Sequence, residues 1–326
     1  MLPEYALLTR HERCELIEEE HFGLILKCNK NGVVTKIGDD KDYLFSLRSC
    51  MKPLQLAAIS EIFDAFDFSD KEIAVCSASH TGEDFHIKTI LGILAKIGLT
   101  EKNLLCPVQN PLSINAQESL IRCNQKPSAI HNNCSGKHAA MLAYCVLKGY
   151  NIENYTDINH PLQKKVLNFV SNICDIQIDK TKITRDGCTL PVLAMPLKNL
   201  AIGFLNLCND FPKIVSAILN NPYYFGGQGR LDSELIVAGN KNLVAKVGAG
   251  NICCVVDLNE QVAFVIKLSD GDNFSRGLIL TKILNDFDKL LDFENSNLYK
   301  LFSKNLVDEK NNIVGEIKFC FDSHLL

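Results

Sequence analysis

The sequence predicts an α+β fold: one antiparallel sheet assembled from both ends of the chain, with a mostly helical block inserted between them. Three observations predict it. Runs of strand-forming residues sit near the two ends, at 4–38 and 243–268. The middle carries apolar residues at helical spacing. No internal repeat, low-complexity segment or Gly/Ser-rich linker interrupts the chain. The 326 residues, 47% hydrophobic, suffice for a large core and read as a single domain over 1–326.

In order, residues 4–38 read as short strands, and Asn31-Gly32 between LILKCN and VVTKI marks a two-residue hairpin turn. Ser69-Asp-Lys-Glu72 has the form of a capping box opening a short helix. Residues 84–97 repeat apolar positions at helical intervals up to Gly98, a C-terminal cap, and 136–148 do the same up to Gly149. Pro161 suits the first turn of a helix running through LQKKVLNFVSNI. The apolar stretch 191–207 is expected to be helical with a break near Pro196. LVAKV (243–247), ICCVVDL (252–258) and QVAFVIKL (261–268) read as successive strands, followed by a helix over about 274–287.

Composition narrows the function. The formal charge is −4 with no basic block, so nothing favours nucleic acid or an anionic membrane surface. The N-terminus MLPEYALLTRHERCELIEEE lacks the basic-then-apolar form of a secretory signal. No apolar run approaches the ~18 residues of a membrane span. The 14 cysteines follow no disulfide-framework spacing. The expectation is a cytoplasmic protein with free, mostly buried thiols.

The segment SLRSCMKPLQL (46–56) places Ser49 three residues before Lys52. A helix starting near Ser49, where Pro53 is tolerated, would put both side chains on one face. Backbone N–H groups at that start would favour an alkoxide or oxyanion. A serine becomes a good nucleophile only when a base takes its proton, and lysine serves only if burial or a second cation lowers its pKa. Taken alone, the same spacing describes an N-cap serine followed by a solvated lysine.

Three more polar segments carry candidate site residues. These are CSASHTGE (76–83), IHNNCSGKHAA (130–140) and IKLSDGDNFSRG (266–277), in which Lys267 closes an apolar strand. Each also fits a plain turn or a helix cap.

Together, SCMKP, SASHTGE, HNNCSGKHAAML, DGCTLPVLAMP, GGQGRLDSELI, KVGAG and KLSDGDNFSRG resemble, in order and over nearly the whole chain, the asparaginase II family of Rhizobium-type L-asparaginases. The resemblance implies a fold like that of serine β-lactamases and penicillin-binding proteins. It implies hydrolysis of L-asparagine to L-aspartate and ammonia by a homodimer. Carried over, Ser49 is the nucleophile and Lys52 its base. Ser79 and Lys267 form a second Ser-Lys pair, with Ser77 the competitor for Ser79. Arg48, His80, Asp186 and Cys253 are substrate-binding candidates, Cys254 standing beside the last. Arg48 suits an α-carboxylate, and the basicity of Lys52 is expected to depend on Lys267.

The family also implies zinc beside this cluster, held by Cys134, Lys137 and Cys188; because Ser49 already supplies the nucleophile, its expected role is orienting or structural. Thiolates suit zinc, whereas lysine ligates only as the neutral amine, and the adjacent His138 is the conventional alternative. Gly248-Ala-Gly-Asn251 departs from the family, which commonly has an acidic residue after the alanine. Two other readings compete: a β-lactam- or peptide-directed acyl enzyme of the same fold, and a non-catalytic zinc or amino-acid binding protein.

Overall fold

Strands β1 (Ala6–Arg13) and β2 (Leu16–Asn29) form the first hairpin of the computed structural model, which describes all 326 residues. Their turn, Cys14-Glu15, has φ of 48° and 69°, the left-handed pair that matches strand twist in a two-residue loop. β3 (Gly32–Ile37) folds back on β2. The turn falls one residue earlier than Asn31-Gly32 suggests: Lys30-Asn31 form the loop and Gly32 opens β3 opposite Asn29. Gly32 has φ +119°, a conformation closed to most other residues.

A small sheet follows, of β4 (Phe45–Ser46), β5 (Lys182–Arg185) and β6 (Pro191–Met195), in the order β4-β6-β5. β6 corrects an expectation. Residues 191–195 are strand, and the helix starts only at Leu197, after Pro196. PVLAM is buried at every position, and such a strand has no alternation to separate it from a buried helix.

β7 (Leu243–Gly248), β8 (Ile252–Asp257) and β9 (Val262–Leu268) form the expected meander. β9 pairs with β2, Leu24 opposite Lys267, and so joins the two ends of the chain. Two strands escape the sequence reading. β10 (Asn305–Val307) is very short, and β11 (Ile313–Phe319) buries only Ile317 fully and is mixed in character; β11 adds to the free side of β1. The eight-stranded antiparallel sheet runs β10-β11-β1-β2-β9-β8-β7, with β3 also on β2.

β7 and β8 are buried at every residue, so both faces of that part of the sheet are covered. The helix Leu197–Asp210 lies across β2, β8 and β9, while Asn273–Asp286 packs on β1 and β9. The expected helices run over Asp70–Cys76, Asp84–Lys96, Ser135–Lys148 and Pro161–Ile173. Gly136 allows the third of these to touch the first, because a Cβ there would lie 2.3 Å from the Val75 carbonyl oxygen. That close approach brings the 77–79 loop under the Asn133-Cys134 turn. No single helix is long and apolar enough to cross a membrane.

Candidate active site

The small sheet aims the chain into the site. Leu47 N–H donates to Leu193 O at 3.0 Å just after β4, and Arg48 then turns into the left-handed region at φ +47°. That conformation costs a non-glycine residue about 1–3 kcal/mol. Arg48–Met51 form a 3₁₀ turn that runs into the α-helix Lys52–Ala57, with Pro53 in its first turn. The α-helix therefore begins three residues after Ser49. The 3₁₀ turn still stacks Ser49 and Lys52, since side chains three apart eclipse there. β7 closes in from the other side: a Cβ on Gly248 would stand 3.1 Å from Leu47 O.

Lys52 is fully buried. Its Nζ donates to Ala78 O (2.7 Å), Ser79 Oγ (3.0 Å) and Asn133 O (3.1 Å), and Ser49 is not among its hydrogen-bond partners. Burial lowers its pKa. The thiols of Cys134 and Cys188 oppose that fall, and the cations Lys137 and Lys246 add to it. Ser77 sits apart, its Oγ donating to Ala74 O of its own helix at 3.0 Å. Ser79 is the serine of that loop which meets the lysine.

Ser49 and Ser79 line one cavity of about 440 Å³ with Asn133, Arg230, Arg276 and the aromatic rings of Phe274 and Phe302. A smaller cavity of about 270 Å³ shares Ser49, Asn133 and Ala249 with it and continues to Arg48, Cys134, Asp186 and Cys188. In the smaller cavity Arg48 Nε donates to Asp186 Oδ1 at 2.8 Å, and Lys137 Nζ lies 3.7 Å from Oδ2. Burial would raise the Asp186 pKa, but Lys137, Arg48 and Lys52 outweigh it and hold the carboxyl below the usual range.

Three residues named from sequence stand elsewhere. Lys267 lines neither cavity, donates to the adjacent Leu268 carbonyl, and does not touch Ser79. The lysines acting on Lys52 are Lys137 and Lys246, so the expected dependence on Lys267 lacks a geometric basis. Cys253 is fully buried within β8, opposite Val247 and Ile266. His80 is also fully buried, its Nε2 2.9 Å from Ser135 Oγ and its ring stacked on His86. Burial, with His86 and Lys52 adding to it, pushes its pKa far down and keeps it neutral.

The sequence reading missed Lys246, Asp232, Arg230 and Arg276. Lys246 and Asp232 form a fully buried ion pair at 2.7 Å between β7 and the helix Leu231–Ala238. Arg276 donates to Gly248 O at 3.1 Å, and neither Arg230 nor Arg276 has a carboxylate within 4 Å. A lysine inside the apolar run just ahead of Gly-Ala-Gly, and arginines inside GQGRLD and NFSRG, were the available signals.

The implied metal ligands pass a structural test. Lys137 Nζ is buried without a hydrogen-bond partner. The Cys134 thiol, Lys137 and a backbone hydrogen bond pull the Cys188 pKa down against burial, while Cys134 itself is pushed up. Against burial, the two thiols and Asp186 raise the pKa of Lys137 beside them, so a thiophilic cation bound by this donor set would displace the lysine's proton. His138, Cys134 and Cys188 do not gather as three mutually close ligand atoms; His138 Nδ1 pairs with the Tyr155 hydroxyl at 2.7 Å, while its Nε2, like Lys137 Nζ, is buried without a partner.

Comparison with known proteins gives four findings. A family model described as L-asparaginase II matches residues 9–319. Among solved structures, the chain is similar to a β-lactamase from Mycobacterium bovis, at 13% identity and a TM-score of 0.40, over 81% of this chain and 94% of that one. It is likewise similar to a candidate β-lactamase from Bacteroides dorei, at 12% identity and a TM-score of 0.39, over 81% and 93%. No curated protein matches.

Proposed function

The chain belongs to the L-asparaginase II family, and from that premise we propose that it hydrolyses the side-chain amide of L-asparagine to L-aspartate and ammonia through an acyl ester on Ser49. One observation carries the mechanism: the three partners of the buried Lys52 amine. Two of them, Ala78 O and Asn133 O, can only accept. A neutral amine has two N–H groups for these carbonyls and one lone pair, which then faces the Ser79 hydroxyl. Lys52 takes the Ser79 proton, and Ser79 in turn takes that of the more exposed Ser49.

Ser49 Oγ attacks the amide carbon while backbone N–H groups, including its own, hold the oxyanion. The C–N bond then breaks, and the proton stored on Lys52 returns through Ser79 to the departing ammonia. A water molecule adds to the ester, the C–O bond to Ser49 breaks, and the proton goes back to Ser49 Oγ.

Arg48 already carries Asp186, which leaves Arg230 and Arg276 as the cations facing the cavity for the α-carboxylate of the substrate. Cys134, Lys137 and Cys188 would hold zinc, which when bound would supply Lewis-acid chemistry and orient the substrate. The proposed working form is a homodimer, which sedimentation velocity checks directly.

The test is ammonia release from asparagine and glutamine by purified Ser49→Ala. The expected loss is about 10³-fold or more in a folded protein; near-normal turnover overturns the reading. The direct bond from Lys52 favours a second assignment, with Ser79 as the nucleophile. Mass spectrometry of quenched enzyme separates the two, since the aspartyl adduct sits on the peptide of Ser49 in one case and of Ser79 in the other.

A further inference from the structure

Far from the serines in sequence, the first hairpin carries a second cluster. β1 and β2 set His11 opposite Glu19 and Thr9 opposite His21. With side chains alternating faces, His11, Glu19 and His21 project from the same face of the sheet. One ligand atom from each of the three lies within 4.8 Å of the others. His11 Nδ1 and His21 Nε2 are each 3.3 Å from Glu19 Oε2. Four ligands at zinc distances of ~2.0–2.1 Å stand about 3.3–3.4 Å apart in a tetrahedron.

The outward-facing nitrogens are held separately. His21 Nδ1 lies 2.9 Å from Asp270 Oδ2, and His11 Nε2 lies 3.3 Å from Ser275 Oγ. An imidazole fixed through one nitrogen by a carboxylate or hydroxyl, with the other turned inward, is the usual support of a metal-ligating histidine. The inward Nε2 of His21 is buried and has no hydrogen-bond partner of good geometry, in a residue 7% exposed. Glu19 is 60% exposed at its side chain and leaves an entry path. Asp272 Oδ2 stands 3.6 Å from His21 Nε2 and can fill the fourth position in place of water.

We propose that His11, Glu19 and His21 form a binding site for one divalent transition-metal ion of the zinc class, distinct from the Cys134–Lys137–Cys188 cluster. An ion there ties the N-terminal hairpin to the segment 270–275. Asp272 caps the helix Asn273–Asp286, whose first turn brings Asn273, Phe274 and Arg276 to the main cavity. The site thus fastens one wall of that cavity to the sheet.

The test is titration of metal-stripped full-length protein with cobalt(II), read by ligand-field absorption, together with zinc stoichiometry. A cobalt ligand-field signal is expected in addition to any thiolate charge-transfer band from the cysteine cluster, and without such a band in Cys188→Ser. It should weaken tenfold or more in affinity in Glu19→Gln, a surface change that spares folding, and vanish in His21→Asn. It should persist in Cys188→Ser, whatever becomes of the cysteine site. Zinc should raise the melting temperature of Cys188→Ser and not that of Glu19→Gln with Cys188→Ser. Cobalt spectra carrying only thiolate character, or a ligand-field signal indifferent to Glu19→Gln, overturn the proposal and leave a plain histidine–carboxylate hydrogen-bond cluster.

Discussion

Lys52 owes its chemistry to its surroundings. Burial lowers its pKa, and the buried ammoniums of Lys137 and Lys246 push the same way. Because the neutral amine is the working form, kcat/KM should climb with about unit slope as pH rises toward that lowered pKa, then level off. Replacing the buried ion pair as a unit, Asp232→Asn with Lys246→Met, withdraws one repelling cation and should move this limb to higher pH; a pH–rate profile checks it. Arg230 offers a second residue-level expectation. A charge-assisted bond to a substrate carboxylate contributes about 1.5–3 kcal/mol. Arg230→Ala should therefore lower kcat/KM for asparagine about 10- to 100-fold, and leave turnover of an analogue lacking the α-carboxylate nearly unchanged.

At the scale of elements, caps and close contacts hold the loops that carry these groups. Ser69 and Glu72 form the capping box foreseen from the sequence, with Ser69 N–H and Oγ both donating to Glu72 Oε2 at 2.7 and 2.8 Å. This helix ends at Cys76, directly before the loop bearing Ser79. Ser69→Ala should cost about 1 kcal/mol in urea unfolding without changing turnover by more than about twofold. Gly136 behaves differently, because its neighbour is rigid backbone. Gly136→Ala forces the helix Ser135–Lys148 away from Val75, and overpacking of this kind costs about 1–3 kcal/mol. The same movement separates Asn133 O from Lys52, so activity should fall along with stability.

For the molecule as a whole, the buried pair Asp232–Lys246 joins the helical block to the edge of the sheet. Burial alone would raise Asp232, but Lys246 and Arg230 outweigh it and hold the carboxyl below its ordinary value. A carboxyl lowered on folding stabilises the fold fully above its unfolded pKa, about 3.9. That stability is lost as pH falls through the lower, folded value. Acid unfolding of the wild type should show this loss below about pH 4. Asp232→Asn, which strands a buried ammonium, should destabilise by about 3–5 kcal/mol at neutral pH, measured in urea.

The amino-acid sequence by itself determined the local features. Local patterns placed the helices at 84–97, at 136–148 and from Pro161 to within a residue or two of their observed ends, along with the β7–β9 meander and the capping box, because each depends on residues within a few positions of one another. It also singled out Ser49, Lys52 and the cysteine–lysine cluster through the order of their motifs. Only the tertiary structure decided the rest. It paired Ser79 with Lys52 and not with Lys267: Lys267 lies opposite Leu24 and Ile252 within the sheet and lines neither cavity, whereas the buried Lys52 amine donates to Ser79 Oγ. It made 191–195 a strand, because complete burial erases the alternation by which a strand is recognised. It brought His11 and His21 together across a hairpin and beside Asp270 and Ser275, some 250 residues further on. Contacts between residues so distant in the chain are set by pairing and packing, which no local pattern encodes.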